Sequence, residues 1–296
     1  MYDKKRHQTV NTKIAVIEKT TAIFCPFPTP IFTIIQKKMT EEIKKEILRL
    51  EHQHDIRILY AVESGSRAWG FASTDSDWDV RYIYIHRLDW YLKIDILKDS
   101  QDEILANDID LAGWELKKAL KLFRKSNPPL LEWLESPIVY SENYSTANKL
   151  RELKKTYFNP KSCLHHYFNM ANRNFKHYLE KDKVRTKKYL YVLRPILACE
   201  WIKNNNSMAP MEFDTLVETQ VQDKLVKKEI EQLLIRKKSG EELNEEPKNQ
   251  VLHSYLEQKI QYFSKYLQTL EKGVAPKTEL LDQLFKETLH EVWKTA

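Results

Sequence analysis

Hydrophobic residues along the chain follow two periods, and the change falls near residue 140. Before it, short apolar runs alternate with helical patterns, whereas after it apolar residues recur at helical spacing. The first part predicts a helix over residues 41–52, strands over 56–64, 79–85 and 103–111, and a helix over 114–125. The second part predicts helices over 163–180, 185–203, 216–235, 251–271 and 277–293. We therefore expect an α+β fold in which a mixed sheet with flanking helices precedes a C-terminal helical domain.

The first 38 residues fit neither period, so we treat residues 1–38 as an N-terminal extension of doubtful structure. Met39 is then a candidate natural start, and Thr40 can cap the helix that follows, whose first residues are acidic. The domains we predict are residues 39–140 for the sheet and residues 141–296 for the helices.

Composition narrows the class of protein. The 296 residues are 42% apolar and 30% charged, as in soluble globular proteins, and no run approaches the 18 or so apolar residues of a membrane span. We thus expect no membrane contact. Three scattered cysteines are too few for a disulfide framework and fit a reducing cytoplasm. A net charge of +6 is compatible with a phosphate-bearing partner such as RNA, and the sequence leaves a protein partner unknown.

A small-residue turn follows the first predicted strand. Gly65 and Ser66 come after the apolar run 56–62, where backbone N–H groups can approach a phosphate closely and the serine hydroxyl can add a contact. The sequence contains no GxxxxGK[ST] or GxGxxG pattern, which argues against P-loop and Rossmann chemistry.

Two alternating carboxylates follow this turn. Asp77 and Asp79 stand two residues apart, and such residues of a strand face the same way, about 6–7 Å apart. Cations relieve their mutual repulsion, and two Mg²⁺ ions that bind together with a nucleoside triphosphate (NTP) can supply this positive charge. Arg81 continues this face and could meet a phosphate. The alternative is an acidic turn before an ordinary strand.

These residues carry a resemblance to a known family. Gly-Ser-Arg-Ala-Trp-Gly at 65–70, followed by Ser-Asp-Trp-Asp-Val-Arg at 76–81, resembles the signature of the DNA polymerase β-like nucleotidyltransferase superfamily. The segments 85–92, 110–120 and 126–134 more narrowly resemble the nucleotidyltransferases called YcgL, or RlaP for their association with RNA ligases. The likeness covers roughly half of the chain. It implies a nucleotidyltransferase-type mixed sheet and nucleotide binding by the turn, Arg67 included.

The resemblance also implies a third carboxylate on a neighbouring strand. Asp110 matches the family position before Gly113 and Trp114, and Asp108 shares its face by the two-residue period. Both could instead cap a helix that begins near Ala112. We predict that Asp77, Asp79 and Asp110 are the catalytic residues and hold the two Mg²⁺ ions.

In the helical part, Lys187, Tyr191 and Arg194 share a helix face at positions i, i+4 and i+7. This face could hold the triphosphate or an RNA backbone, because cations around an aromatic ring suit phosphates and bases. It could equally be a solvent face.

The predicted activity is transfer of a nucleoside monophosphate from an NTP, ATP among them, to a hydroxyl acceptor such as an RNA end. Two alternatives stay open. One is transfer of AMP to a protein hydroxyl, and the other is a non-catalytic RNA-binding module.

Overall fold

The computed structural model of the protein describes residues 30–241, 244–271 and 276–294, with side chains from residue 36. The chain divides into two units between Glu46 and Ile47. The first described helix, α1, spans Pro30–His54 and crosses this division. Most of the predicted extension, residues 1–29, lies outside the described residues. The predicted domain boundary at residue 140 stays a prediction.

The start predicted for the first helix is wrong. Helix α1 begins at Pro30 instead of near residue 41, so Thr40 lies inside the helix. Its hydroxyl donates to the backbone carbonyl of Gln36 at 2.8 Å, which is the bond of a mid-helix threonine and not of a cap.

The second unit contains a five-stranded mixed sheet, in the order β3-β4-β2-β1-β5. Its strands are β1 (Ile56–Glu63), β2 (Trp78–His86), β3 (Ser100–Ile104), β4 (Ile109–Glu115) and β5 (Val139–Glu142). Strands β2 and β4 run parallel, and the other neighbours run antiparallel. The sheet and the helices that follow confirm the predicted fold class.

Helices accompany and follow this sheet. The short helices α2 (Gly65–Ala68), α3 (Leu88–Tyr91) and α5 (Pro128–Leu134) and the longer α4 (Leu116–Arg124) connect the strands. After β5 come α6 (Thr146–Tyr157), α7 (Pro160–Tyr178), α8 (Leu190–Asn205), α9 (Phe213–Gln220), α10 (Lys224–Lys238), α11 (Gln250–Tyr266) and α12 (Glu279–Trp293). A two-stranded sheet of β6 (Lys183–Arg185) and β7 (Glu245–Pro247) lies among them. No helix in the described part of the chain is long and apolar enough to cross a membrane.

Two predicted elements are each replaced by two shorter ones. The strand predicted over 103–111 is a hairpin, because Asp108 takes the left-handed conformation (φ 60°) in a turn between β3 and β4. The helix predicted over 216–235 is interrupted after Gln220. Helix α10 restarts where the Asp223 carboxylate accepts from the backbone N–H of Leu225 at 2.8 Å, as an N-cap does.

The ends of two other helices also differ. Helix α4 begins two residues after the predicted Trp114, because the carboxylate of Glu115 caps it by accepting from Lys117 N at 2.7 Å. The helix predicted over 185–203 begins as a 3₁₀ turn, Thr186–Tyr189, and becomes α-helical only at Leu190. Lys187 therefore precedes helix α8.

Candidate active site

Asp79 and Asp110 lie opposite one another on the parallel strands β2 and β4. One guanidinium nitrogen of Arg81, Nη2, donates to Asp79 Oδ1 at 2.9 Å and to Asp110 Oδ2 at 2.8 Å. Burial raises the pKa of Asp79 above its ordinary range; Arg81 opposes that rise, and the charge of Asp110 adds to it. The two carboxylates are thus close enough to share a single cation, and in this structure the cation is an arginine.

Asp77 and Asp108 lie differently. Asp77 is exposed and stands just before strand β2. Asp108 lies in the β3–β4 turn, where its backbone carbonyl accepts from Trp78 N at 2.8 Å. The expectation that Asp108 shares a strand face with Asp110 is therefore wrong, because the turn ends the two-residue alternation.

The Gly65 turn packs directly against Asp79. Gly65 has a φ of +58°, and a Cβ placed on it would lie 2.0 Å from Oδ2 of Asp79. Only glycine meets both requirements, a left-handed backbone and contact with a carboxylate. The position of the Asp79 carboxylate thus requires a glycine at residue 65.

A buried glutamate contacts the backbone of Asp79 in strand β2. Glu63, fully buried at the end of β1, accepts from the backbone N–H of Asp79 at 2.9 Å and from the Tyr140 hydroxyl at 2.5 Å. Burial raises the pKa of Glu63 to about 7.

A polar cavity of 440 Å³ opens over these residues. Its walls are Ser64, Gly65, Ser66, Trp69, Phe71, Asp75, Ser76, Asp77, Asp79, Arg81, Lys187, Leu190, Tyr191 and Lys237. Asp110 is connected to this cavity through Arg81. Burial raises the pKa of Tyr191, and the charges of Asp79 and Asp77 raise it further. The turn, the acids and the helical part of the chain meet here.

Arg67 and Arg194, both expected to bind nucleotide, have other contacts. The Arg67 guanidinium lies 3.7 Å from the Trp78 ring centroid and donates to the backbone carbonyls of Asp77 and Ser76, which holds the acidic segment in place. Arg194 is only 3% exposed in its side chain, and its Nη1 donates to the Glu132 carboxylate at 2.8 Å. The solvent-face interpretation is wrong for Arg194.

Lys237 is a cavity residue that the sequence patterns did not predict. It lies in the last turn of helix α10, and its ammonium group donates to the hydroxyl of Ser73, 164 residues away, in the loop before β2. Burial lowers the pKa of Lys237. No local pattern signals this contact, because it depends on how α10 packs.

The oxygen atoms of the acids suit Mg²⁺ better than the positions of the acids do. Carboxylate oxygens are the ligands that this ion prefers. In the part of the chain that is described, however, no three His, Cys, Asp or Glu side chains converge as a metal site. Arg81 holds Asp79 and Asp110 together, and Asp77 remains outside that pair.

The mixed sheet, the acids in register and the Gly-Ser turn define a nucleotidyltransferase fold. The chain belongs to the RlaP family, described as the RNA repair pathway DNA polymerase beta family, which matches residues 39–287. Over 256 residues it is 46% identical to a Bacillus subtilis (strain 168) protein named "Uncharacterized protein YcgL", covering 86% of this chain and 98% of that one. The family predicted from the motifs is thus confirmed, and it indicates a transferase.

A solved structure also resembles the chain. It is that of a nucleotidyltransferase-like protein from Exiguobacterium sibiricum 255-15, matched over 85% of this chain and 89% of its own at 12% identity. Its TM-score of 0.32 is too low to bear on the fold.

Proposed function

We propose that this protein transfers a nucleoside monophosphate from an NTP to a hydroxyl acceptor, with release of pyrophosphate. The observation that carries the proposal is the pair Asp79 and Asp110, held in register beside a polar cavity that also presents Lys187 and Lys237. Carboxylates on one side and ammonium groups on the other suit a substrate that brings both metal and phosphate.

Each group has a role in this reaction. Asp79 and Asp110, with Asp77, would hold Mg²⁺, which supplies charge neutralisation and polarises phosphoryl oxygens when bound. Lys187, Lys237 and the Ser66 hydroxyl would bind the outer phosphates. The acceptor oxygen forms a bond to the α-phosphorus, the bond from that phosphorus to pyrophosphate breaks, and Asp110 helps to remove the acceptor proton.

Arg81 lies between the two acids and pairs with both. It neutralises two carboxylates whose mutual repulsion would otherwise be costly. A divalent cation that binds Asp79 and Asp110 would replace this arginine, and the released guanidinium would then be free to pair with a phosphate.

An RNA end is the acceptor that the surface favours. Lys181, Lys183, Arg185 and Lys188 gather around Tyr178 near strand β6; we call this the basic surface. The ammonium of Lys188 lies 4.3 Å from the Tyr178 ring centroid and 4.8 Å from that of Tyr191, which also lines the polar cavity. Cations interleaved with aromatic rings suit a single-stranded nucleic acid.

The test is transfer of label from each of the four α-labelled NTPs, with Mg²⁺, to RNA or to protein in a cell extract. We expect labelled RNA, and labelled protein would favour the AMP-transfer alternative. No label in either fraction, with intact protein, would contradict the proposal. Asp110→Asn and Asp108→Asn form a matched pair in the same assay. The first should abolish transfer and the second should leave it largely intact.

A further inference from the structure

A second cavity, of 270 Å³, adjoins the polar one and has a different lining. We call it the aromatic cavity, because Trp69, Trp114, Trp133, Tyr167 and Tyr191 contribute to its walls. Five residues line both cavities: Ser64, Trp69, Arg81, Leu190 and Tyr191. A ligand whose phosphates lie in the polar cavity can therefore extend into the aromatic one.

Strand β4 supplies both the acid and the aromatic wall. Asp110 and Trp114 are four residues apart on the same face of the strand, since alternate residues of β4 are buried on the opposite face. Four residues of strand correspond to about 13 Å. The Trp133 ring, from helix α5, stacks on Trp114 with centroids 4.0 Å apart and planes 25° apart. This stacking holds Trp114 in one orientation.

Glu132 forms hydrogen bonds with three other residues that line the aromatic cavity. Its buried carboxylate accepts from Arg194 Nη1 at 2.8 Å, from Trp69 Nε1 at 3.4 Å and from the hydroxyl of Tyr167. The three donors come from separate elements, so one carboxylate joins the end of helix α2 to helices α7 and α8. The cavity is therefore preformed rather than assembled by a ligand.

Arg194 adds a polar group to this apolar lining. Its guanidinium carbon lies 4.5 Å from the centroid of Trp69, and among the described residues its buried Nε finds no hydrogen-bond acceptor. A buried donor without an acceptor is costly, and a ligand heteroatom could relieve that cost. The lining thus combines flat aromatic faces with a fixed hydrogen-bond donor.

We infer that the aromatic cavity binds a nucleobase. A planar heterocycle matches the rings of Trp69, Trp114 and Tyr191 by stacking, and its ring nitrogens or carbonyls match the donor of Arg194. An aliphatic chain would use neither feature. The inference rests on the proposed function for the phosphates in the adjoining cavity. The base belongs either to the incoming NTP or to the terminal nucleotide of the acceptor.

The experiment compares ligands with and without a base. Calorimetry with Mg²⁺ measures the affinity of the wild type, Trp114→Leu and Trp114→Phe for NTPs, for inorganic tripolyphosphate and for a short single-stranded RNA. Loss of one stacked base should weaken the base-containing ligand by roughly tenfold or more. Tripolyphosphate affinity should not change, and Trp114→Phe, which keeps an aromatic face, should restore most of the binding.

Trp90→Leu is the matched control, because Trp90 stacks on His86 with centroids 4.2 Å apart and lines neither cavity. It should bind every ligand as the wild type does.

Weaker NTP binding by Trp114→Leu assigns the base to the triphosphate, and weaker RNA binding alone assigns it to the acceptor. Either result supports a nucleobase site. The inference is overturned if Trp114→Leu binds NTP and RNA normally, or if tripolyphosphate binding falls equally. Failure of the proposed function would look different, as wild-type protein that binds NTP but transfers no label.

Discussion

The two adjoining cavities are each supported by a buried glutamate, and the two glutamates are stabilised differently. Glu63, beneath Asp79, accepts from a backbone N–H and from the Tyr140 hydroxyl, and burial raises its pKa to about 7. Glu132, at the aromatic cavity, pairs with the guanidinium of Arg194. The first carboxylate thus has only neutral donors around it and can keep its proton, whereas the second has a cation beside it.

This difference extends to the residues around them. In the polar cavity, the cations Lys187 and Lys237 and the exposed Asp77 belong to loops and helix ends. In the aromatic cavity, Glu132 and Arg194 are buried and form an ion pair with each other. We therefore expect substitutions in the first cavity to affect chemistry and those in the second to affect stability as well.

The largest effect should come from Asp79→Asn. This change keeps the side-chain volume but removes a charge from the predicted metal ligand, so transfer should fall about a thousandfold. The melting temperature should change little, which circular dichroism can check. Asp75→Asn, at another carboxylate that lines the same cavity, is the comparison and should reduce transfer far less. If it reduced transfer as much, the pair of acids would be misassigned.

Arg194→Ala should instead destabilise the fold. It leaves the buried Glu132 carboxylate without its cation, and breaking such a pair costs about 3 kcal/mol or more. Urea unfolding would measure this loss, with Lys187→Ala as an exposed control. The double substitution Glu132→Gln with Arg194→Met removes both charges and should recover much of the stability. Unchanged unfolding of Arg194→Ala would mean that the ion pair contributes little.

The protonation of Glu63 predicts a pH-dependent stability. The pKa of Glu63 is about 7 in the folded state against about 4.5 in the unfolded one, so the folded protein binds more protons between these values. Stability should therefore fall as pH rises from 4.5 to 7, by about 3 kcal/mol. Glu63→Gln can keep both hydrogen bonds and should lose this dependence. Parallel curves for the two proteins between pH 5 and 7.5 would show that Glu63 does not titrate in that range.

The smallest effect should be that of Lys187→Ala. One charge-assisted contact to a phosphate is worth about 1.5 kcal/mol, so binding of tripolyphosphate should weaken roughly tenfold, without a change in stability. Calorimetry can measure it, with Lys121→Ala on the exposed face of helix α4 as the control. Equal binding by both variants would place the phosphates elsewhere in the cavity, nearest to Lys237.

Local patterns in the sequence were sufficient for much of the fold. Strand β1 and the helices α7, α11 and α12 lie close to their predicted positions, because apolar spacing reports backbone conformation directly. Patterns failed where a single residue ends an element. The left-handed Asp108 divides a strand into a hairpin, and the caps Glu115 and Asp223 shift or interrupt helices.

The sequence by itself determined the family and the local chemistry, since the Gly-Ser turn and the alternating acids lie within a few residues of one another. Only the tertiary structure decided which groups meet. Strand register places Asp110 opposite Asp79, helix packing brings Lys237 to Ser73, and the same packing buries Arg194 against Glu132. These contacts join residues from 31 to 164 positions apart, counted between the residue numbers. Such distant partners are selected by packing and register, for which a linear pattern contains no local signal.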